Sequence, residues 1–263
     1  LQLIDFKQYF IVFRLRRLTS LAARIIALAL LAPALALAQA DYAREKRWAD
    51  EITPAILVGD PLYLALPSGH KFLAIHAPRA QARAGVIVVH GLGVHPDWGL
   101  INPLRSLLAE QGYATLSVQM PVLAADARGE QYAPLFAEAV ERLQAAVAFL
   151  RDKGHRKIAV VSHSLGARMS NEFLNRGGAI DAWVAIGLSG VFSQPENLKA
   201  PVLDIYGGQD LPAVLQNAQK RAAMIRKVRG SAQIEVSGAD HFFNGRENEL
   251  VSQVRLFLDQ RLR

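Results

Sequence analysis

Three residue types in this 263-residue chain have the chemistry of nucleophilic catalysis: Ser164, Asp210 and His241. Serine is a weak nucleophile until an imidazole takes its proton, and the imidazole needs a carboxylate to fix its tautomer. Ser164 sits in Ser162-His163-Ser164-Leu165-Gly166, small at both flanks, as a sharp strand-to-helix turn requires. Such a turn lifts the hydroxyl above a sheet and points the next amide, that of Leu165, at an anion beside it. Gly166 supplies one close backbone approach; Ser162 stands where a glycine is usual. Asp210 follows Gly207-Gly208-Gln209, and His241 follows Gly238-Ala239-Asp240. Asp204 is a second carboxylate near Asp210, but two residues before Tyr206 it should lie inside a strand. His90-Gly91-Leu92-Gly93 is a glycine-rich turn able to aim a backbone N–H, most simply that of Leu92, at the same anion.

The elements that would position these groups are legible in the hydrophobic pattern. Residues 62–66 and 71–76 form two short strands around the turn Pro67-Ser68-Gly69-His70, an antiparallel hairpin. Gly85–Val89, Ala114–Val118, Ile158–Val161, Ile180–Leu188, Val202–Tyr206 and Gln233–Val236 read as further strands, several of them continuous apolar runs buried on both faces. Between them lie helical stretches. Phe136, Val140, Leu143, Val147 and Leu150 recur at spacings of 4 and 3, and so do Leu211, Leu215, Ala218, Ala222 and Ile225. Helices are also expected over 101–111, after Ser164, and around Leu250–Leu258. Strands alternating with helices make a mostly parallel central sheet with helices on both faces. Ligands bind such sheets beyond the carboxyl ends of the strands. Ser164, Asp210 and His241 all fall at such ends, in that chain order.

On these residues the chain resembles the α/β-hydrolase superfamily, from about Leu62 to its end. More narrowly, it is similar to an exported proteobacterial branch of that superfamily with no settled function. The resemblance implies an α/β-hydrolase fold with Ser164 as nucleophile, His241 as base and Asp210 as its orienter. The Leu92 and Leu165 amides would form the oxyanion hole. The implied reaction is hydrolysis of a carboxylic ester through an acyl-enzyme, with a small acyl compound as substrate and no metal or other cofactor in the chemistry. The segment Gly190–Ala200 is too short for a large cap domain, so the site should be open, with the loop Met120–Ala133 as the nearest cover. Trp98, Phe192, Phe242 and Phe243 are candidates for lining an acyl pocket. A non-catalytic α/β-hydrolase fold used for binding or envelope assembly is the alternative, since fold does not fix function.

Composition closes other routes. The chain has no cysteine, which excludes disulfides, thiolate metal sites and cysteine nucleophiles. Of the net charge of +7, residues 1–40 contribute +4, from Lys7, Arg14, Arg16, Arg17 and Arg24 against Asp5. The remaining +3 is no electrostatic footprint for nucleic acid. That Arg-rich stretch precedes an apolar run, Ile25–Ala38, and the small-residue site Ala38-Gln39-Ala40, the three parts of a secretory signal. A start near Val12 would leave an ordinary signal from Phe13 to Ala40. The run is interrupted by Pro33 and is shorter than a spanning helix needs, which disfavours an uncleaved anchor. The expectation is a signal over 1–40, a single domain over 41–263 with no membrane span, and a periplasmic or secreted location. His95 and Asp97 are too few to close a metal site and read as loop-capping residues. Lys220, Arg221, Arg226, Lys227 and Arg229 read as a solvated basic face.

Overall fold

A computed structural model describes residues 39–262; the segment read as a signal falls almost wholly outside them. Eight strands form one sheet: β1 (Asp60–Ala65), β2 (Lys71–Ala77), β3 (Gly85–Val89), β4 (Ala114–Val118), β5 (Ile158–His163), β6 (Ala182–Ile186), β7 (Val202–Gln209) and β8 (Ala232–Asp240). Their spatial order is β1-β2-β4-β3-β5-β6-β7-β8. β2 pairs antiparallel with both β1 and β4, and every other pairing is parallel. β3 to β6 are buried at every position, which is why β3, β6 and the first four residues of β5 read as unbroken apolar runs, while β4 buries Thr115 and Ser117.

Seven α-helices flank the sheet among the described residues: α1 (Tyr42–Ile52), α2 (Ile101–Glu110), α3 (Phe136–Asp152), α4 (Leu165–Asn175), α5 (Pro212–Leu215), α6 (Ala218–Ile225) and α7 (Glu247–Arg261). Alternate side chains of each strand enter opposite cores. Ile87 and Val89 of β3, Ile158 and Val160 of β5, and Trp183 and Ala185 of β6 meet Val140, Leu143 and Leu150 of α3 and Met169 and Phe173 of α4. Val86, Val88, Ala159, Val161, Val184 and Ile186 face Leu104 and Leu108 of α2 and Leu250, Val254 and Leu258 of α7. This is the α/β-hydrolase architecture expected from the pattern, with no large cap domain among the described residues.

Three features depart from the expected layout. The helix read over 211–225 is two helices, broken at Gln216-Asn217. Asn217 Nδ2 donates to the Ala213 carbonyl near the end of α5, and the Asn217 carbonyl accepts from Arg221 N–H to open α6. Leu211 and Leu215 of the expected stripe are exposed, and Val214 instead joins Ala218 and Tyr206 in a small buried cluster. Arg221 does not belong to a solvated face. It is fully buried, with Nε donating to Asp204 at 2.8 Å.

The third departure is α1, for which no element was expected. Asp41 caps it, accepting from Arg44 N–H at 2.9 Å. Its fully buried residues are Glu45 and Ala49 alone, with Tyr42 and Trp48 partly buried against the core, so its inward face carries a carboxylate among apolar groups. Glu45 meets the buried Arg142 of α3 at 2.9 and 3.1 Å and accepts from Val122 N–H. Burial pushes the Glu45 carboxyl up to about 7, against the pull of Arg142. Residues 120–122, the start of the loop considered as a cover, are buried, and Asp41 N–H donates to the Val122 carbonyl at 2.7 Å. Among the described residues no helix is long and apolar enough to cross a membrane.

Candidate active site

The carboxyl ends of β3, β5, β7 and β8 converge on Ser164. It occupies the turn between β5 and α4 at φ 56°, ψ −121°, a conformation that costs a non-glycine residue about 1–3 kcal/mol. The turn is held by contact too close for any side chain. A Cβ on Gly166 would lie 2.2 Å from the His90 carbonyl oxygen. Ser162, in the place of the usual glycine, is fully buried. Its hydroxyl accepts from the Trp183 indole N–H at 2.8 Å and donates to the Val184 carbonyl at 3.3 Å. The serine thus satisfies a buried indole that a glycine would leave unpaired.

Ser164, His241 and Asp210 come together in one hydrogen-bonded line. His241 Nε2 is 2.9 Å from Ser164 Oγ, and His241 Nδ1 is 2.6 Å from Asp210 Oδ1. Asp210 also accepts from Leu211 N–H at 2.7 Å and Gly207 N–H at 3.3 Å. With Nδ1–H committed to the carboxylate, the Nε2 lone pair faces the serine hydroxyl. Both partners are nearly buried, Asp210 at 5% and His241 at 7% exposure. Asp204 stays inside β7, paired with Arg221 and accepting from Gln233 Nε2 at 2.6 Å. Burial pushes its carboxyl up, against the pull of Arg221.

Sequence reading did not anticipate three supports of this line. Gly187, φ 58°, backs the histidine: a Cβ there would lie 3.0 Å from His241 Nδ1 and 3.3 Å from Asp210 Oδ2. Its signal was a glycine directly after the buried run 182–186. His163, next to the nucleophile, donates from Nε2 to the His241 carbonyl at 2.9 Å, its ring 4.7 Å from that of His241. Burial, reinforced by His241, holds the His163 imidazole down to about 3, so it is neutral. The third support is Arg44 of α1. It donates from Nη1 to Leu123 O at 2.7 Å and from Nη2 to Gly93 O at 3.1 Å, over the Trp48 ring.

Gly93 belongs to the turn read as an oxyanion loop, and that turn does pass over the serine. A Cβ on Gly91 would sit 3.2 Å from Ser164 Cβ. His90 anchors its start. Its Nδ1 donates to the Gly91 carbonyl, its Nε2 accepts from Met120 N–H, and burial holds it down to about 3. Leu165 opens α4, so its N–H lies in the first turn, where a helix has no acceptor of its own.

The four aromatic candidates divide. Trp98 and Phe242 are part-exposed and meet edge to face at 5.5 Å, with Phe242 5.1 Å from His241. Phe192 and Phe243 do not line an open pocket. Phe192 packs in the α3/α4 core, 5.4 Å from Trp183, and Phe243 in the α2/α7 core. Phe243 takes φ 54°, and the turn that exposes Phe242 carries its neighbour inward. His95 and Asp97 stay structural in their contacts. Asp97 accepts from Arg105 Nε at 2.6 Å and Asn102 Nδ2 at 2.9 Å, and its own N–H donates to His95 Nδ1.

A mostly parallel eight-stranded sheet, helices on both faces and a serine on a strained β5–α4 turn define the class: an α/β hydrolase fold. Solved structures agree. A lidless serine hydrolase of this fold from Xanthomonas campestris superposes with a TM-score of 0.63 at 15% identity, over 78% of this chain and 95% of that one. A dienelactone hydrolase from Anabaena variabilis gives 0.65 at 18%, over 77% and 97%. An esterase from Pyrococcus furiosus gives 0.63 at 17%, over 78% and 93%. At these identities the likeness is one of fold. The chain itself belongs to the family described as protein of unknown function (DUF3530), which matches residues 124–260 and so includes Ser164, Asp210 and His241. No curated protein matches it in sequence.

Proposed function

We propose that this chain is a serine hydrolase that cleaves a carboxylic ester through an acyl-enzyme. The observation that carries the reading is the continuous line Ser164–His241–Asp210 at 2.9 and 2.6 Å beneath the Gly91–Gly93 turn. Ser164 Oγ attacks the ester carbonyl while His241 Nε2 takes its proton. Asp210 stabilises the imidazolium, and the Leu92 and Leu165 amides receive the developing oxyanion, worth about 3–4 kcal/mol per donor in other enzymes. Collapse expels the alcohol, which takes the proton back from His241. Water, deprotonated by the same imidazole, then attacks the acyl-serine, and its collapse releases the acid. Neither half-reaction calls on a metal or organic cofactor. Neighbours named as esterases and serine hydrolases, similar in fold, support the assignment.

The non-catalytic alternative draws on the general rule that fold does not fix function, and slightly on the departure at Ser162. The Trp183 hydrogen bond gives that departure a packing reason that leaves the turn in place. The test is labelling with a fluorophosphonate, which reacts only with an activated serine. Wild type should label, while Ser164→Ala should not and His241→Ala should label at least a thousandfold more slowly. An unlabelled wild type, or equal labelling in His241→Ala, removes the hydrolase reading and leaves the binding one. We further propose export to the periplasm, on the Arg-rich, apolar and Ala38-Gln39-Ala40 sequence alone. N-terminal sequencing of the cellular protein should find a chain beginning near Asp41, and a full-length cytoplasmic product would reject it.

A further inference from the structure

Large apolar side chains left in water are not spread evenly over this molecule. Nine are exposed among the described residues, and six of them stand on the segments that follow the sheet's parallel strands. They are Leu92 and Trp98 after β3, Val191 after β6, Leu211 and Leu215 after β7, and Phe242 after β8, each 37–47% exposed. Their positions in the chain tie them to Ser164. Leu92 is in the turn over the serine, Leu211 follows Asp210 and donates its N–H to it, and Phe242 follows His241. Trp98 meets Phe242 edge to face. Gly190 N–H bonds the Ala213 carbonyl, which brings the segment of Val191 against α5, where Leu215 lies. Apolar groups so placed, with no cap domain above them, are a binding surface.

Resting on the hydrolase reading above, we propose that this rim selects the substrate: an ester whose acyl part is an extended aliphatic chain rather than a short one. The chain lies across the open rim and is dehydrated on one side, with the carbonyl at Ser164. Full burial of a methylene would favour binding about fourfold; contact on one side gives about twofold. Six added methylenes should then raise kcat/KM on the order of fiftyfold.

The experiment compares p-nitrophenyl acetate and octanoate, which share one leaving group. Wild type should prefer octanoate by tenfold or more. Trp98→Ser and Leu215→Ser, combined, should bring that ratio below fivefold with the thermal midpoint kept within a few degrees. Leu57→Ser, exposed elsewhere, should leave the ratio unchanged. Acetate turnover and fluorophosphonate labelling with a ratio below tenfold would overturn the rim proposal and leave the hydrolase standing. So would a preference indifferent to the rim variants, or a dimer that those variants dissociate while the ratio stays flat. No turnover of either ester and no labelling would overturn both.

Discussion

Asp204 and Asp210 are the same residue type, six positions apart, one inside β7 and one just past its end, and both are buried. Asp204 meets Arg221, a cation that never gives up its proton, together with Gln233 from the neighbouring strand. Arg221 in turn donates to the carbonyls of Gly190 and Val214, so this carboxylate ties down the loops after β6 and β7. Asp210 meets His241, an imidazole that can lose and regain a proton, and the imidazole meets a hydroxyl at the open end of the sheet. A carboxylate within a strand can only hold structure, because its surroundings are closed on every side. One at the carboxyl end sits where loops bring in a titratable partner and solvent brings in substrate. The difference is one of position along a strand, and it can be broken experimentally.

The largest effect should come from Asp210→Asn. The fold should persist while kcat/KM on an ester falls by about four orders of magnitude, the scale of a misplaced imidazole tautomer. Equal loss from Asp204→Asn, with Asp210→Asn nearly silent, would reverse the two roles. Next, Asp204→Ala should cost about 3–5 kcal/mol in denaturant unfolding, because it strands Arg221 in the interior. Activity per folded molecule should change less than tenfold. Asp204→Leu combined with Arg221→Met should recover most of the loss, whereas no equivalent repair should exist for Asp210.

A third test measures how dry the histidine side is. His90 and His163 are held down to about 3 in the folded protein, against about 6.5 when unfolded. Below 6.5 the unfolded chain therefore gains two protons that the folded one refuses, and stability falls as pH falls. Glu45, held up to about 7, opposes this with one proton between 4.5 and 7. Around pH 5.5 these three groups leave a net of about one proton, to which the lowered His70, His76, His95 and His155 add and which the raised Asp204 opposes, so unfolding free energy should drop on the order of 1 kcal/mol per pH unit between pH 6 and 5. His163→Gln should make that slope shallower by about the same amount, and an unchanged slope would mean a wet site. The smallest effect belongs to Ser162→Gly. Loss of the Trp183 partner should cost about 1–2 kcal/mol, with fluorophosphonate labelling within threefold of wild type. A large gain in labelling would show instead that Ser162 restrains the turn.

What the sequence revealed follows the same division. β3 and β4 are bounded as expected, and Ser164, Asp210 and His241 stand at strand ends because the alternation of strand and helix puts them there. The supports behind them were hidden because they depend on distant partners. Nothing in Arg44 indicates that it reaches Gly93, and nothing in His163 indicates the His241 carbonyl. Residue type misled at Phe192, Phe243 and Arg221. An aromatic beside a site can turn to either side of the chain, and a guanidinium is as well placed inside as outside once a carboxylate waits for it.

The helix α1 has a consequence for how the molecule assembles. Its contacts reach Gly93, Leu123 and Arg142, which lie 49, 79 and 97 residues along from their partners. Synthesis runs from the amino end, so this segment is made before the elements it docks on and docks late, after the chain through α3 exists. Contacts of such span close slowly, and an apolar helix waiting that long would offer neighbouring chains a surface to aggregate on. Arg44, Glu45, Lys46, Arg47, Asp50 and Glu51 keep the waiting segment hydrated. Docking through a buried ion pair beside a small apolar contact lets this helix stay hydrated before it docks and still be the piece that fastens the turn above Ser164.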